Sequence, residues 1–222
     1  AELVRLKVDV IVAGDNPAIK AAQGATRTIP VVMVAPTDPV GTGFVASLAR
    51  PGANITGLNP QGAELQSKRV QLLKEALPNV SRVAVLWDPT EPGRHAMVTA
   101  VQTAAEAVGL TVRLLELRSP TELDGMFTVL ARGRVHAVLV EASQVTFAHR
   151  VRIAEAATKS RLPTMCWRIE TVEAGCLLGY AANSAELFRR AAYFVDRVLK
   201  GSKPADLPVE QPTKFEFGVN MK

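Results

Sequence analysis

The sequence predicts an α/β protein built from doubly wound parallel sheets. Short runs of β-branched and aliphatic residues recur along the chain, helical stretches alternate with them, and capping residues mark where helices begin and end. Because a strand, a helix and a second strand return the chain in the same direction, this alternation favours parallel strands with helices on both faces.

The strand-like runs are unevenly distributed. Only three precede residue 60, whereas five follow one another between residues 82 and 180. A lobe needs more strands than the first region supplies, so we expect two lobes, the first of them incomplete at its N-terminus. The runs are VDVIVA (8–13), PVVMVA (30–35), NITGL (54–58), RVAVLW (82–87), TVRLLEL (111–117), AVLVEA (137–142), PTMCW (163–167) and CLLGY (176–180).

Two helices carry clear capping signals. Ser119, Pro120 and Glu122 form a capping box at the start of the first, and Gly133 stands where a C-cap glycine belongs. Asn183 starts the second helix, whose apolar face is expected to pack on a sheet. That face comprises Leu187, Phe188, Ala191, Val195, Val198 and Leu199.

The stretch NITGLNPQGAEL looks like a linker between two sheets, because glycine and proline interrupt it before the next helix begins. Hinges between lobes are often formed by a few such residues. The predicted division is lobe 1 at 1–58 and 182–205, lobe 2 at 60–180 and 207–222, and hinge crossings at 59–62, 180–183 and 203–208.

Composition excludes several classes of protein. The 26 Lys and Arg residues outnumber the 21 Asp and Glu residues, which gives a net charge of +5. The basic residues are scattered, however, and form no run typical of nucleic-acid binding. No apolar run is long enough to span a bilayer, and no signal segment leads the chain. Cys166 and Cys176 match no metal or redox spacing, so we expect them to be packing residues and expect no cofactor or metal.

Motifs of catalysis are also missing from the sequence. The GTG at 41–43 lacks the third glycine of a dinucleotide-binding fingerprint, and no phosphate-binding GxxxxGK[ST] loop occurs. His95, His136 and His149 lie in separate segments without a nucleophile motif nearby. We therefore predict no catalytic residues and a protein that is not an enzyme.

Four long segments resemble one family of proteins. They are VDVIVAGDNPAIKAAQGATRTIPVVMV, DPVGTGFVASLARPGANITGL, KRVQLLKEALPNVSRVAVLWDP and LKGSKPADLPVEQPTKFEF. Together they resemble the ABC transporter substrate-binding proteins of the tryptophan/tyrosine type, which are similar to type I periplasmic binding proteins. The resemblance extends over essentially the whole chain.

The resemblance implies a periplasmic or membrane-anchored extracytoplasmic receptor. Such a receptor binds an amino-acid-like or other small organic solute in the cleft between its lobes and presents it to the membrane permease of an ABC importer. Family members begin with a signal or lipoprotein peptide and a further strand-helix-strand, in agreement with the strand count. The alternative is the effector-sensing domain of a transcription regulator, which shares this fold. An exposed edge in lobe 1 would also favour a homodimer through residues 1–60.

Candidate binding residues lie where the predicted strands end. Ligands of open parallel sheets bind beyond the carboxyl ends of the strands, and in the family the corresponding loops of both lobes face the cleft. The candidates are Asp15, Asn16, Thr37, Asp38, Trp87, Asp88, Thr90, Glu91, Glu141, Ser143, Trp167, Tyr180 and Asn183.

In lobe 1 each candidate has a competing structural role. Thr37 can offer a hydroxyl and an N–H to a carboxylate, and Asp38 can accept from an ammonium or cap its own turn. Asn16 stands at a helix start, where a role as N-cap competes with ligand contact. Asp15, next to Asn16, is therefore freer to contact a ligand.

In lobe 2 the strand ends are richer in charge. Thr90 precedes a helix whose amides favour an anion, while neighbouring Asp88 and Glu91 can bind or cap. A buried Glu141 needs a partner, which a ligand ammonium or Arg168 would supply.

Aromatic side chains close three of the lobe 2 strands. Trp87, Trp167 and Tyr180 can stack on a flat or apolar ligand, and their alternative role is core packing.

Overall fold

The computed structural model describes residues 2–60, 62–91 and 93–221. Residues 1 and 222 of the predicted lobes and residue 61 of a predicted crossing lie outside the described residues. The helices are α1 (Glu2–Arg5), α2 (Asn16–Ala25), α3 (Ala63–Ala76), α4 (Arg94–Ala107), α5 (Leu123–Arg132), α6 (Gln144–Ala148), α7 (Arg150–Lys159), α8 (Ile169–Glu173) and α9 (Ser184–Leu199). The strands are β1 (Ile11–Ala13), β2 (Val31–Met33), β3 (Ile55–Gly57), β4 (Arg82–Trp87), β5 (Thr111–Glu116), β6 (Ala137–Val140), β7 (Thr164–Cys166), β8 (Leu178–Ala182) and β9 (Phe215–Val219).

The chain folds into two compact units. Unit 1 comprises Ala1–Gly62 and Ala182–Lys214, and unit 2 comprises Ala63–Ala181 and Phe215–Lys222. Unit 1 contains a sheet in the order β1-β2-β3, and unit 2 is built on a sheet in the order β5-β4-β6-β7-β8-β9.

Helices cover both faces of the unit 1 sheet, whose strands are all parallel. Successive side chains of a strand point to opposite faces, so β2 contributes to two cores. Val31 and Met33 pack in a core with α2, whereas Val32 and Val34 pack in a core with α9. A central strand that is apolar at every position is typical of such a sheet.

Strand β1 forms one edge of this sheet. It pairs with β2, and no other strand of the described chain pairs with it. Val12 is 47% exposed, and Leu3 and Leu6 of the preceding segment are exposed as well. Edge strands of this kind can recruit partners, but the homodimer through residues 1–60 stays a prediction.

The unit 2 sheet is wound in both directions from β4. Strand β4 pairs in parallel with β5 on one side and with β6 on the other, and β7 and β8 follow β6 in parallel. Phe215 stacks on Tyr180 while the Asn220 N–H donates to the Leu177 carbonyl oxygen (2.8 Å), so β9 runs antiparallel to β8. Helices α5 and α7 cover one face, and α3 and α4 cover the other. The predicted class of doubly wound parallel sheets is confirmed.

The third crossing lies later in the chain than expected. Residues 207–214 belong to unit 1, although the sequence assigned 207–222 to lobe 2 and placed a crossing at 203–208. Hydrogen bonds explain this position: Thr56 Oγ1 donates to the Leu207 carbonyl oxygen (2.6 Å), and the Glu210 N–H donates to Gly57 (2.9 Å). The segment therefore extends the unit 1 sheet edge beyond β3, and the chain passes to unit 2 only after Lys214.

The apolar face of α9 is rotated relative to the prediction. Phe188 and Leu199 are 56% and 60% exposed, whereas Phe194, absent from the predicted face, is buried at 1%. The predicted set spread over too wide an arc, and packing against β2 selects Leu187, Ala191, Phe194 and Val198.

No helix of the described residues has the length and apolar character needed to cross a membrane.

The two cysteines form a disulfide, which corrects the expectation that they are packing thiols. Cys166 at the end of β7 is bonded to Cys176 before β8, with 6.5 Å between their Cα atoms. Both are buried in the core beneath α5 and α7. A spacing of 10 residues resembles no redox or metal motif, so the pairing becomes visible only when α8 folds the chain back between two neighbouring strands.

Candidate ligand-binding site

In unit 1 the ends of β1 and β2 are joined by one buried amide. Asn16 Nδ2 donates to the Thr37 carbonyl oxygen (2.9 Å), and Asn16 Oδ1 accepts the Thr37 N–H (2.8 Å). Both residues are buried. The amide thus satisfies both backbone groups of Thr37 in the loop after β2, and it fixes the backbone of that residue.

The N-cap of α2 is Asp15 and not Asn16. Asp15 Oδ1 accepts the Ala18 N–H (2.9 Å), and Asn16 is already the first helical residue. The sequence suggested the reverse because it placed Pro17 at the first helical position, whereas this proline occupies the second. Asp15 is consequently the capping carboxylate, and the Asn16 amide is turned to β2.

Asp38 shapes the loop after β2. Its backbone is left-handed, with φ of 47°, and its Oδ1 accepts the Gly41 N–H at 2.9 Å. This is the capping arrangement that competed with ligand contact in the sequence.

Asn59 follows β3 at the same end of the unit 1 sheet. Gly57, with φ of 131°, allows β3 to approach β2 so closely that a side chain there would collide with the Met33 backbone. The chain is then held on both sides: the Leu58 N–H donates to Met33 (2.9 Å) and the Asn59 N–H donates to Glu210 (2.8 Å). Asn59 itself is 7% exposed, and its Oδ1 finds no hydrogen-bond partner in the described chain.

In unit 2, β4 and β6 flank the point where the order of strands in the sheet reverses. Open α/β sheets bind ligands at such a point. Trp87 ends β4 as a core residue, in edge contact with the His95 ring at 4.8 Å between centroids. Asp88 Oδ1 accepts both the Thr90 N–H (2.8 Å) and the Thr90 hydroxyl (2.6 Å). Asp88 therefore closes a turn, and α4 begins later, after Gly93.

Glu141, at the end of β6, belongs to a buried network of polar side chains. Gln66 Nε2 donates to Glu141 Oε2 (3.0 Å), and Gln66 Oε1 accepts from Arg69 (3.2 Å). The Arg69 guanidinium also donates to the carbonyl oxygens of Tyr180 (2.9 Å) and Trp167 (3.2 Å). The network thus ties α3 to the ends of β6, β7 and β8.

Burial governs the electrostatics of this network. Arg69 is 2% exposed and Glu141 is 1% exposed. Desolvation lowers the pKa of the Arg69 guanidinium to about 10, the Glu141 carboxylate acts to raise that pKa, and Arg94 acts to lower it. The partner of Glu141 was expected to be a ligand or Arg168, but Arg168 lies 3.4 Å from Glu170.

An ion pair lies in the loop between β4 and α4. Glu91 Oε2 pairs with Arg94 at 3.2 Å, and Glu91 Oε1 accepts the Gln144 N–H (2.7 Å). Glu91 therefore joins the start of α4 to the start of α6, which accounts for its burial without any ligand.

Aromatic and cationic side chains cluster beyond β7. Trp167 meets Phe147 edge-on at 5.9 Å, and the Arg168 guanidinium lies 4.8 Å from the Phe147 ring and 5.2 Å from the Trp167 ring. Trp167 is only half-buried, whereas the Tyr180 ring stacks on Phe215. Trp167 thus offers an aromatic face at a strand end.

Two candidates act as helix caps in the structure. The Ser143 hydroxyl oxygen accepts the Thr146 N–H (3.0 Å) at the start of α6, and Asn183 Oδ1 accepts the Glu186 N–H (2.8 Å) at the start of α9. The predicted cap at Asn183 and the capping box at Ser119 and Glu122 are confirmed.

The unpaired buried polar groups occupy the same kind of position in each unit. Asn59 Oδ1, Trp87 Nε1 and Trp167 Nε1 are the buried side-chain atoms without a hydrogen-bond partner among the described residues. Each follows or closes a strand at its carboxyl end, in one unit or the other. Such atoms are rare in native proteins and cost about 1–3 kcal/mol each, so their placement at these edges points to ligand contact.

Sequence reasoning missed Gln66, Arg69 and Asn59. Gln66 and Arg69 lie in a helix where polar residues normally face water, and no sequence signal marks them as buried. Asn59 directly follows the run NITGL, which is the same signal that identified Asn16 and Thr37, but it was assigned to a linker.

Comparisons with known proteins identify similar sequences and structures. A Tyrosine-binding protein from Clostridioides difficile (strain R20291) is 24% identical over 220 residues, which is 99% of this chain, and the chain spans 63% of that relative's length. An ABC domain in complex with L-Trp from Streptococcus pneumoniae superposes with a TM-score of 0.92 at 28% identity, over 98% of this chain and 73% of the other.

A more distant structure shows the shared fold alone. It is a glucose-galactose binding protein from Geobacillus stearothermophilus, with a TM-score of 0.70 and 12% identity over 99% of this chain and 79% of the other. The family model described as ABC transporter substrate binding protein matches residues 1–222. The chain therefore belongs to the ABC transporter substrate-binding protein family.

Proposed function

We propose that this protein is the extracytoplasmic receptor of an ABC importer and binds an amino-acid-like solute with an aromatic side chain. The observation that carries the proposal is the placement of unpaired buried polar atoms at strand ends: one acceptor in unit 1 and two indole donors in unit 2. A solute with ammonium and carboxylate groups supplies both kinds of missing partner.

Unit 2 offers the groups suited to such a solute. Gln66 donates to Oε2 of the buried Glu141 carboxylate, and this carboxylate is the acceptor proposed for an ammonium. Trp167 presents a half-buried indole whose N–H needs an acceptor and whose face suits an aromatic side chain. The relatives that bind tyrosine and L-Trp support this class of solute.

We also propose that the solute contacts Thr37, Thr90 and Asp15, for which the structure gives less support than for Glu141 and Trp167. The Thr90 hydroxyl and Asp15 carboxylate are already engaged with Asp88 and Ala18, so they would have to exchange those partners for a solute. The remaining predicted residues, which act here as caps, ion-pair partners, backbone-bonding amides or packing residues, are proposed to shape the loops around the solute.

The setting of the receptor follows from the family. We propose an extracytoplasmic, membrane-anchored location and a membrane permease as the partner that receives the solute. The Cys166–Cys176 disulfide supports this location, because such bonds persist in oxidising compartments. No observation favours the regulator alternative, and catalysis is not part of the proposal.

Calorimetric titration with L-Trp, L-Tyr, glucose and myo-inositol tests the proposed solute class. We expect binding of the amino acids and a change in tryptophan fluorescence, because both indoles lie at unit 2 strand ends. Glu141→Gln keeps the shape but removes the charge, and it should raise the Kd about 10- to 100-fold, since a hydrogen bond to a charged group contributes about 1.5–3 kcal/mol.

The matched control is Glu106→Gln, a change at an exposed position of α4. This variant should bind as the wild type does. Binding of a sugar and of neither amino acid would overturn the proposed solute class.

A further inference from the structure

We infer that Asn59 is a ligand-binding residue and that its side-chain oxygen accepts an N–H of the solute ammonium group. This inference rests on the proposed function and adds a unit 1 contact to it. It starts from the unpaired Oδ1 of a residue that is 7% exposed and stands at the carboxyl end of β3.

The backbone of Asn59 is too well fixed for its unpaired side chain to result from a mobile loop. Its N–H donates to Glu210, the preceding N–H donates to Met33, and Leu58 forms a parallel bridge with Glu210. The Cα position is therefore held from two sides. The backbone that carries this side chain is thus in place before any solute arrives, which reduces the entropy lost on binding.

Other asparagines of unit 1 show what a structural amide does in this fold. Asn54, immediately before β3, donates from Nδ2 to the Ile29 carbonyl oxygen (2.7 Å), and Asn16 bonds the Thr37 backbone at both ends of its amide. Each satisfies backbone groups of a neighbouring segment. Asn59 makes no such bond in the described chain, so a role in folding does not explain a buried amide there.

The chemistry of an amide oxygen defines what it selects. It accepts hydrogen bonds without carrying charge, so it binds an ammonium N–H and does not itself attract free cations strongly. The neighbouring strand ends are occupied, because Asn16 and the Thr37 backbone bond each other. Asn59 Oδ1 is thus a side-chain acceptor at this sheet edge that has no donor among the described residues.

The test compares Asn59→Leu with Asn54→Ala in the full chain. Titrations use L-Trp and L-Tyr together with their analogues lacking the amino group, indole-3-propionate and 3-(4-hydroxyphenyl)propionate. For Asn59→Leu we expect at least a tenfold rise in Kd for the amino acids, an unchanged Kd for the analogues, and an unchanged or raised Tm without ligand, since no protein hydrogen bond is lost.

Asn54→Ala should behave in the opposite way, with a lower Tm and unchanged Kd values, because it removes a bond within the protein. If Asn59→Leu does not fold, the smaller Asn59→Ala serves in its place. Wild-type binding of the amino acids with no change in Asn59→Leu, or an equal loss for amino acids and analogues, overturns this inference alone. A wild type that binds none of the four probes overturns the proposed function as well.

Discussion

The two units bury polar side chains at their strand ends by different means. Unit 1 uses a neutral amide, Asn16, which is bonded to the backbone of Thr37. Unit 2 uses ionised side chains, Arg69 and Glu141, which are linked through Gln66. Losing a neutral group leaves backbone atoms unpaired, whereas losing one ion leaves an uncompensated buried charge, so each member of the unit 2 network matters more to stability.

The largest expected effect breaks the unit 2 network. Arg69→Met leaves the carbonyl oxygens of Tyr180 and Trp167 unpaired and leaves Glu141 without its nearby positive charge. We expect the unfolding free energy of unit 2 to fall by about 3–5 kcal/mol. Urea denaturation followed by tryptophan fluorescence reports unit 2 specifically, because both tryptophans lie in that unit.

An exposed arginine in unit 1 provides the control. Arg190 contacts both carboxylate oxygens of Glu210 at 2.6 Å, but the two side chains are 45% and 38% exposed. Arg190→Met should therefore cost less than about 1 kcal/mol in denaturation followed by circular dichroism. Equal losses in the two variants would show that burial does not distinguish the Arg69 network from the exposed Arg190–Glu210 pair.

The disulfide gives the second largest contrast, because both cysteines belong to unit 2. Replacing Cys166 and Cys176 by serine should destabilise unit 2 by about 2–4 kcal/mol, since a closed loop restricts the unfolded chain. Hydrogen exchange should report faster opening of β7 and β8 with no change in unit 1. Dithiothreitol should have no further effect on the double variant, and equally faster exchange in both units would contradict the assignment.

The smallest expected effect concerns unit 1. Asn16→Ala removes both bonds to the Thr37 backbone and should lower the unfolding free energy of unit 1 by about 1–3 kcal/mol. Hydrogen exchange at the end of β2 should accelerate, while the tryptophan transition of unit 2 stays at the same urea concentration. Asn79→Ala, at an exposed turn, is the control and should leave both units unchanged. A shift of the tryptophan transition would mean that the units do not unfold separately.

Most strands could be predicted from the sequence because their runs are rich in β-branched and aliphatic residues, and β5 was recognised even though Arg113 and Glu116 interrupt its run. Strand β9 was missed, although Phe215, Phe217 and Val219 alternate with Glu216 and Gly218 as in a strand, and all three are exposed. The caps at Ser119 and Asn183 were also predictable, because a cap involves residues only three apart along the chain, whereas the cap of α2 proved to be Asp15 and not Asn16.

The polar network of unit 2 could not be predicted in the same way. Arg69 contacts residues 98 and 111 positions away, and nothing near it in the sequence indicates that it is buried. The candidate residues were chosen for lying at strand ends, which is why Glu141 was identified and the helical residues that hold it were not. Of the two partners considered for Glu141, Arg168 pairs with Glu170 in the structure, and a ligand ammonium stays a prediction.

The return of residues 207–210 to β3 has a consequence for how the chain is made. Thr56 donates to Leu207, which lies 151 residues later, so the edge of its sheet is complete only after Leu207 has been synthesised. At ~5–20 residues per second, synthesis of the intervening chain takes about 8–30 s. The elements of unit 2 from α3 to β8 emerge without such an interruption, so we expect unit 2 to collapse first while β1, β2 and β3 remain an unfinished, aggregation-prone sheet during synthesis.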